Sequence, residues 1–173
     1  MVANFHCSHD IFDEEWFFFT TTRSSLLDLW KKNQDLFYVH VEEPPSGFLL
    51  RILWSLWRKS KRRPWWTYGE RGEKEGQRQR IALRISPRWE HQLWEGPRNG
   101  EFVLSARDLI EGMVTYYRQT GRRFQSDYLH TSDFSGDRRI AVGYFRGLID
   151  VEAFWPSQEY YPTDAMAVAR SIA

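Results

Sequence analysis

The spacing of hydrophobic and polar residues changes along this chain, and these changes predict helices and strands in mixed order. Apolar residues recur at helical spacing over 48–61 and 106–119, so each stretch has a broad apolar face. Alternation over 80–85, and β-branched or aromatic residues over 124–130 and 139–148, are typical of strands. We therefore predict an α+β domain in which two or three helices pack against a mainly antiparallel sheet.

Capping and turn residues set the ends of several elements. The segments 25–28 and 105–108 each place an aspartate three residues after a serine, which favours a helix start. Gly121 should end the second of these helices. An Asn-Gly pair at 99–100 favours a tight turn, so we predict one hairpin near 80–104 and a second between the two C-terminal strand runs.

Shorter patterns predict further elements. Aromatic and β-branched residues over 36–41 indicate a strand, and 64–68 has the composition of a strand start. The glycine-rich polar stretch 69–79 is predicted to be a mobile loop. The Ala-rich tail within 160–173 is predicted to be a terminal helix or a frayed end.

Length and cysteine content favour one domain in a reducing compartment. The 173 residues contain no long linker, so we predict a single domain over 1–173 with a flexible polar start at 1–15. Cys7 is the only cysteine, which excludes an intramolecular disulfide and a cysteine-based zinc cage. The longest apolar stretch, 48–57, is too short to cross a bilayer, and 1–15 lacks the pattern of a secretory signal. We therefore expect a cytoplasmic protein without membrane contact.

Charge is unevenly distributed, although the whole chain carries only +1. Residues 1–50 hold 3 basic and 8 acidic side chains, residues 51–98 hold 13 and 5, and residues 99–173 hold 8 and 10. The middle segment therefore carries +8 between two acidic flanks. This asymmetry indicates a polyanionic partner for the middle segment, and nucleic acid is the commonest such partner.

Aromatic side chains accompany the basic segment, and together they predict an RNA contact. Aromatic residues make up 17% of the chain, more than a core needs, so some rings are expected to face a partner. Basic side chains neutralise phosphates, and exposed rings stack on unpaired bases for about 1–3 kcal/mol each. The predicted contacts to single-stranded or guide RNA are Arg58, Lys59, Lys61, Arg62, Arg63, Trp65, Trp66, Arg84 and Arg88. The alternatives are a solvated basic face over core tryptophans and a docking face for an acidic protein.

Two arginine pairs, Arg122-Arg123 and Arg138-Arg139, flank the arms of the C-terminal hairpin. They would extend the basic surface if the sheet brought them near Arg84. The alternative is that they form surface ion pairs of little energetic worth with neighbouring aspartates. These aspartates are Asp127, Asp133 and Asp137.

The sequence offers only weak candidates for chemistry. Side chains that suit zinc or iron lie together near the N-terminus: His6, Cys7, His9, Asp10 and Asp13. Structural sites usually combine two separated ligand pairs, and the second pair is missing, so we assign no metal. Asp127 and His130 would point to opposite faces of a strand. We therefore predict an exposed histidine, a turn-forming aspartate, no catalytic residue and no cofactor.

The C-terminal hairpin resembles the closing hairpin of the small accessory subunits of type III-D CRISPR effector complexes. The similar residues are Arg123-Phe124, Asp127-Tyr128-Leu129, Asp133, Gly136-Asp137, Arg139-Ile140-Ala141 and Phe145-Arg146-Gly147-Leu148, with Gln92 to Gly96 and Phe102 before them. The resemblance covers roughly a third of the chain. It implies a non-catalytic subunit that sits among larger RNA-binding subunits and helps to hold a ribonucleoprotein together.

These observations lead to one principal hypothesis and two alternatives. The principal hypothesis is a non-catalytic, RNA-associated accessory subunit whose partners are RNA and larger protein subunits. The first alternative is a viral or mobile-element module that captures a host protein through an apolar helix. Its predicted partner-binding residues are Phe48, Leu49, Ile52, Leu53 and Trp57. The second alternative is a hydrolase or nuclease that uses His91 or His130 with nearby acids.

Overall fold

The computed structural model describes residues 15–38, 64–67, 69–85, 97–123, 128–154 and 165–172. The helix predicted over 48–61 lies outside these residues, and so do the basic cluster at 58–63 and the predicted partner-binding face. Residues 1–14 and the beginning of the strand predicted over 124–130 also lie outside them.

Two sheets form the framework of the described residues. The first sheet has the strand order β1-β2-β8-β3, and all its neighbours are antiparallel. Its strands are β1 (Glu15–Thr20), β2 (Arg80–Ile85), β3 (Glu101–Val103) and β8 (Val168–Ser171). The second sheet has the order β6-β5-β4-β7, in which only β7 is parallel to its neighbour. Its strands are β4 (Tyr128–Ser135), β5 (Arg138–Phe145), β6 (Leu148–Phe154) and β7 (Ala165–Met166).

Among the described residues, three α-helices accompany the sheets, which confirms the α+β class and its mainly antiparallel arrangement. They are α1 (Leu26–Lys32), α2 (Gly69–Glu73) and α3 (Ala106–Thr120). The helix starts predicted at 25–28 and 105–108 are confirmed, because Ser25 and Ser105 accept hydrogen bonds from the Asp28 and Asp108 N–H groups. Gly121 ends α3 in the left-handed conformation, as predicted.

Helix α3 is the central element of the fold. It contacts β1 of the first sheet, β4 and β5 of the second sheet, and α1. Eight of the nine residues from Ala106 to Val114 are buried, so this part of the helix is covered on every side. Gly112 permits the approach to the first sheet, since a Cβ there would lie 2.9 Å from the ring of Phe19. The core therefore lies on both sides of α3.

Buried polar groups fix the start of α3. Asp133 on β4 accepts a hydrogen bond of 2.8 Å from the N–H of Ala106, which occupies one free donor of the helix N-terminus. Arg107 donates to the carbonyl of Ser24 at 2.9 Å and pairs with Glu111 at 2.8 Å. Glu111 also accepts from the N–H of Thr22 at 3.0 Å. These contacts tie α3 to the loop between β1 and α1.

Several sequence predictions are corrected. The two described strands within the predicted hairpin near 80–104, β2 and β3, do not pair with each other, because β8 lies between them. Residues 92–95, which precede the Asn-Gly turn, lie outside the described residues. The tail is not a helix, since it supplies β7 and β8. The segment Trp65–Thr67 is a 3₁₀ turn rather than a strand start, and α2 occupies part of the predicted loop at 69–79. Gln34–Leu36 is also a 3₁₀ turn, followed by an isolated bridge from Phe37 to Ile149.

The C-terminal hairpin is confirmed, but with tighter turns than predicted. Strand β4 continues to Ser135, so only Gly136 and Asp137 connect it to β5. A further hairpin joins β5 to β6 through Arg146 and Gly147. These two residues have φ angles of 50° and 78°, which a type I′ turn requires. Sequence analysis placed both strands of this second hairpin partly within one run, 139–148.

Candidate nucleic-acid interface

The first sheet has one face toward the core and one face away from it. On β1, Phe19 packs against α3 at Gly112, and Phe17 contacts Tyr116 of the same helix edge to face at 5.1 Å. Because side chains alternate along a strand, Trp16 and Phe18 lie on the opposite face. We call this the outer face.

Strand register places four side chains of the outer face in one row. Phe18 lies opposite Ala82, Ala82 opposite Arg170, and Arg170 opposite Glu101. Phe18 is 64% exposed, which makes it the most exposed large hydrophobic residue among those described. Ala82, which lies between Phe18 and Arg170 in this row, is only 4% exposed, so the accessible groups of the row are the Phe18 ring and the Arg170 side chain.

Trp16, the next residue of β1 on the outer face, contacts two arginines. The guanidinium carbon of Arg170 lies 4.4 Å from the centre of the Trp16 ring, and that of Arg84 lies 5.7 Å away. A cation over an indole face is attracted by about 0.5–2 kcal/mol. Trp16 therefore orients two arginines on the outer face.

Glu101 is the anion that balances these arginines. Its side chain is fully buried, and its carboxylate pairs with Arg84. Arg170 donates to it from Nε at 3.1 Å and from Nη2 at 2.7 Å, and the Arg98 N–H donates at 2.9 Å. Burial would raise the pKa of Glu101, but these hydrogen bonds and the arginine charges hold this pKa below its ordinary value. Glu101 is therefore ionised at neutral pH.

Two arginines of the outer face have hydrogen-bond donors without a partner among the described residues. Arg170 has a side chain that is 46% exposed, and its Nη1 has no hydrogen-bond partner among the described residues. Arg80 is exposed and has no ion pair within the described ranges. It lies opposite Thr20, so it flanks Phe18 diagonally on the same face. We call the surface formed by Trp16, Phe18, Arg80 and Arg170 the sheet platform.

Three of the predicted RNA contacts can be placed, and only one of them is exposed. Trp65 is 44% exposed. Trp66 is 4% exposed and its ring lies 5.4 Å from that of Phe37 in the core, so its predicted role as a contact is corrected. Arg84 is buried and its charge is matched by Glu101, so it supports the sheet platform instead of presenting a free cation. The other six predicted contacts lie outside the described residues: Arg58, Lys59, Lys61, Arg62, Arg63 and Arg88.

Sequence analysis missed the sheet platform, although one signal pointed to it. Trp16 to Phe19 is a run of four aromatic residues, and a strand cannot direct all of them toward one core. Two of them had to face outward or toward a partner. The sequence around Arg170 does not indicate a role in this surface, because only the pairing of β8 with β2 and β3 brings Arg170 into line with Phe18.

Of the residues considered for catalysis, His91 and Asp127 lie outside the described residues, and His130 and Asp133 have structural contacts. His130 is buried on β4 with its ring 5.9 Å from that of Phe154, so the prediction of an exposed histidine is wrong. Asp133 lies on β4 and caps α3, so it is not a turn-forming residue. Asp150 is a buried acid that sequence analysis missed, and it accepts a hydrogen bond of 2.7 Å from the Tyr128 hydroxyl. The part of the chain that the structure describes contains no group of three His, Cys, Asp or Glu side chains suited to a metal ion.

Comparison with known proteins gives no relative: no protein-family model, no curated protein and no solved structure matches this chain. Within the described ranges, no helix has the length and apolar character needed to span a membrane. The site must therefore be interpreted from its own geometry.

Replacing Glu101 with Gln should destabilise the protein by about 3 kcal/mol at neutral pH, because Arg84 would be left as a buried, unpaired cation. The pKa of Glu101 is lowered by folding, so its contribution is complete above the unfolded-state pKa of about 4.3 and is lost as the pH falls through the folded pKa. Urea unfolding of Glu101→Gln and the parent protein across this range measures the difference.

The matched control is Arg118→Gln, which breaks an exposed ion pair of 3.2 Å with Asp35. We expect a loss below about 1 kcal/mol for this control. The assignment of Glu101 as the balancing anion would be contradicted if Glu101→Gln lost no more unfolding free energy than the control. It would also be contradicted if this loss were as large in acid as at neutral pH.

Proposed function

We propose that this protein binds single-stranded RNA on the sheet platform and acts as a non-catalytic accessory subunit of a ribonucleoprotein. The proposal rests on one observation. Phe18 is 64% exposed on the outer face of the first sheet, in the same row as Arg170, whose guanidinium lies 4.4 Å over Trp16. An open ring beside an ordered cation is the combination that unpaired nucleotides require.

Stacking on Phe18 supplies the base contact. A large apolar side chain that is mostly exposed gains nothing from its position in the free protein, whereas a base that covers it contributes about 1–3 kcal/mol. Bases in a duplex are already stacked on both faces, so this contact favours a single strand.

The arginines supply the phosphate contacts. Arg170 is oriented by Glu101 and Trp16, and its Nη1, which has no partner among the described residues, would bind a phosphate oxygen. Arg80 flanks the other side of Phe18. Counting Arg80, Arg84 and Arg170 against Glu101 leaves two net positive charges on this face (3 − 1 = 2). The surface is therefore attractive to a polyanion even though the chain as a whole is nearly neutral.

The RNA contact is tested with a labelled oligouridylate of about twelve nucleotides, by fluorescence anisotropy at salt concentrations from about 50 mM to about 200 mM. Phe18→Ala should bind about tenfold more weakly, which corresponds to roughly 1.4 kcal/mol of lost stacking. Arg170→Gln should also weaken binding, and should flatten the slope of log K against log salt by about 0.7.

The matched control is Phe134→Ala, because Phe134 is another exposed ring with an arginine stacked on it, Arg139 at 5.0 Å. We expect its affinity to stay within about twofold of the parent value. Equal losses for Phe18→Ala and Phe134→Ala, or a preference for a duplex of the same length, would rule out the sheet platform as the RNA contact.

The assignment to a ribonucleoprotein rests on the resemblance of the C-terminal hairpin to the accessory subunits of type III-D CRISPR effectors. That resemblance includes residues of β4, β5 and the turn at Arg146 and Gly147. We also propose a cytoplasmic location, because the single cysteine favours a reducing compartment. In such an assembly the chain would contribute contacts to RNA and to larger subunits, and no catalytic group.

Purification of the tagged protein from its native host at low salt tests this assignment. We expect short RNAs and larger RNA-binding proteins to purify with it, and we expect Phe18→Ala to reduce the RNA without removing the protein subunits. Recovery of one partner protein without RNA would instead favour the protein-binding module.

A further inference from the structure

A second cationic surface lies where α3 ends. Gly121 turns the chain at the end of the helix, and the exposed side chains of Arg122 and Arg123 follow it. The β5–β6 turn approaches the same place, because a Cβ on Gly147 would lie 3.4 Å from the guanidinium of Arg123. Arg146 precedes Gly147 in this turn. We call the surface formed by Arg122, Arg123 and Arg146 the arginine corner.

Two guanidinium groups of the arginine corner are held on aromatic rings. That of Arg123 lies 5.2 Å from the ring centre of Tyr117, and that of Arg146 lies 5.3 Å from the ring centre of Phe145. Stacking restricts each side chain while its N–H donors stay available at the edge of the plane. Less rotamer entropy is then lost when an anion binds.

The charges of the arginine corner are not balanced within the described residues. None of its three arginines has a carboxylate within 4 Å there, whereas the neighbouring Arg118 pairs with Asp35. The C-terminal dipole of α3 acts as about half a negative charge, so it offsets only part of three positive charges. Arg146 also comes from another element, so capping of the helix does not explain its position. An external anion would neutralise the remaining positive charge.

We propose that the arginine corner is a phosphate-binding site for the RNA backbone, separate from the sheet platform. The choice of RNA as the source of the phosphates rests on the proposed function. Planar guanidinium groups suit phosphate oxygens, which they bind in pairs. Since the contacts are to phosphates alone, this site reads no base and adds affinity to any strand that reaches it.

Inorganic polyphosphate separates this site from the sheet platform, because it carries phosphates and no bases. The corner variant combines Arg122→Gln, Arg123→Gln and Arg146→Gln. The control variant removes the same charge elsewhere, through Arg23→Gln, Lys74→Gln and Arg138→Gln. Circular dichroism and thermal unfolding establish that both variants remain folded, and isothermal titration measures polyphosphate binding.

We expect the corner variant to bind polyphosphate at least about tenfold more weakly than the control variant. Phe18→Ala should bind polyphosphate like the parent protein. With oligouridylate, the corner variant should lower the slope of log K against log salt by about 2, which is three phosphate contacts at about 0.7 each.

Equal polyphosphate affinity for the corner and control variants would overturn the proposal, since net charge alone would then account for binding. Polyphosphate binding that depends on the corner, without any oligouridylate binding, would overturn the RNA assignment and identify a free phosphate polymer as the ligand. If both probes bind through the corner and Phe18→Ala binds oligouridylate as tightly as the parent protein, the arginine corner is supported and the sheet platform is refuted.

Discussion

The geometry of the first sheet depends on the Glu101 carboxylate. Glu101 lies on β3, and it accepts hydrogen bonds from Arg170 on β8 and pairs with Arg84 on β2. A single buried anion thus joins side chains from three strands. Burial of this charge is costly, and two cations with the Arg98 N–H offset that cost. With Glu101 in place, Arg170 lies against Trp16 and the ring of Phe18 remains open.

Local signals in the sequence were sufficient for the elements that depend on local interactions. Helices α1 and α3 were predicted because serine caps and apolar spacing act within a few residues, and β2 was predicted with its observed bounds. The Ala-rich tail was misassigned because the pairing of β8 with β2 and β3 overrides its local preference. The same pairing places β8 between β2 and β3.

The candidate site was harder to predict for the same physical reason. Trp65 and Trp66 are adjacent in sequence, yet the 3₁₀ turn buries one ring and exposes the other. Arg84 belonged to the predicted basic surface, but its partner Glu101 is reached only through β8. A charge pattern reports where cations are abundant, whereas a binding surface needs cations that remain unpaired after folding. Arg80 and Arg170 retain free donors among the described residues, and they emerged only from the fold.

The most direct test of the sheet platform is photocrosslinking to an oligouridylate that carries a photoreactive uridine, followed by tryptic digestion and mass spectrometry. We expect the main crosslink in the peptide that ends at Arg23, at Trp16 or Phe18 on β1. An excess of unlabelled oligouridylate should remove this crosslink, and the same excess of duplex RNA should not. Crosslinks confined to other peptides would contradict the central claim that unpaired bases bind on the outer face of the first sheet.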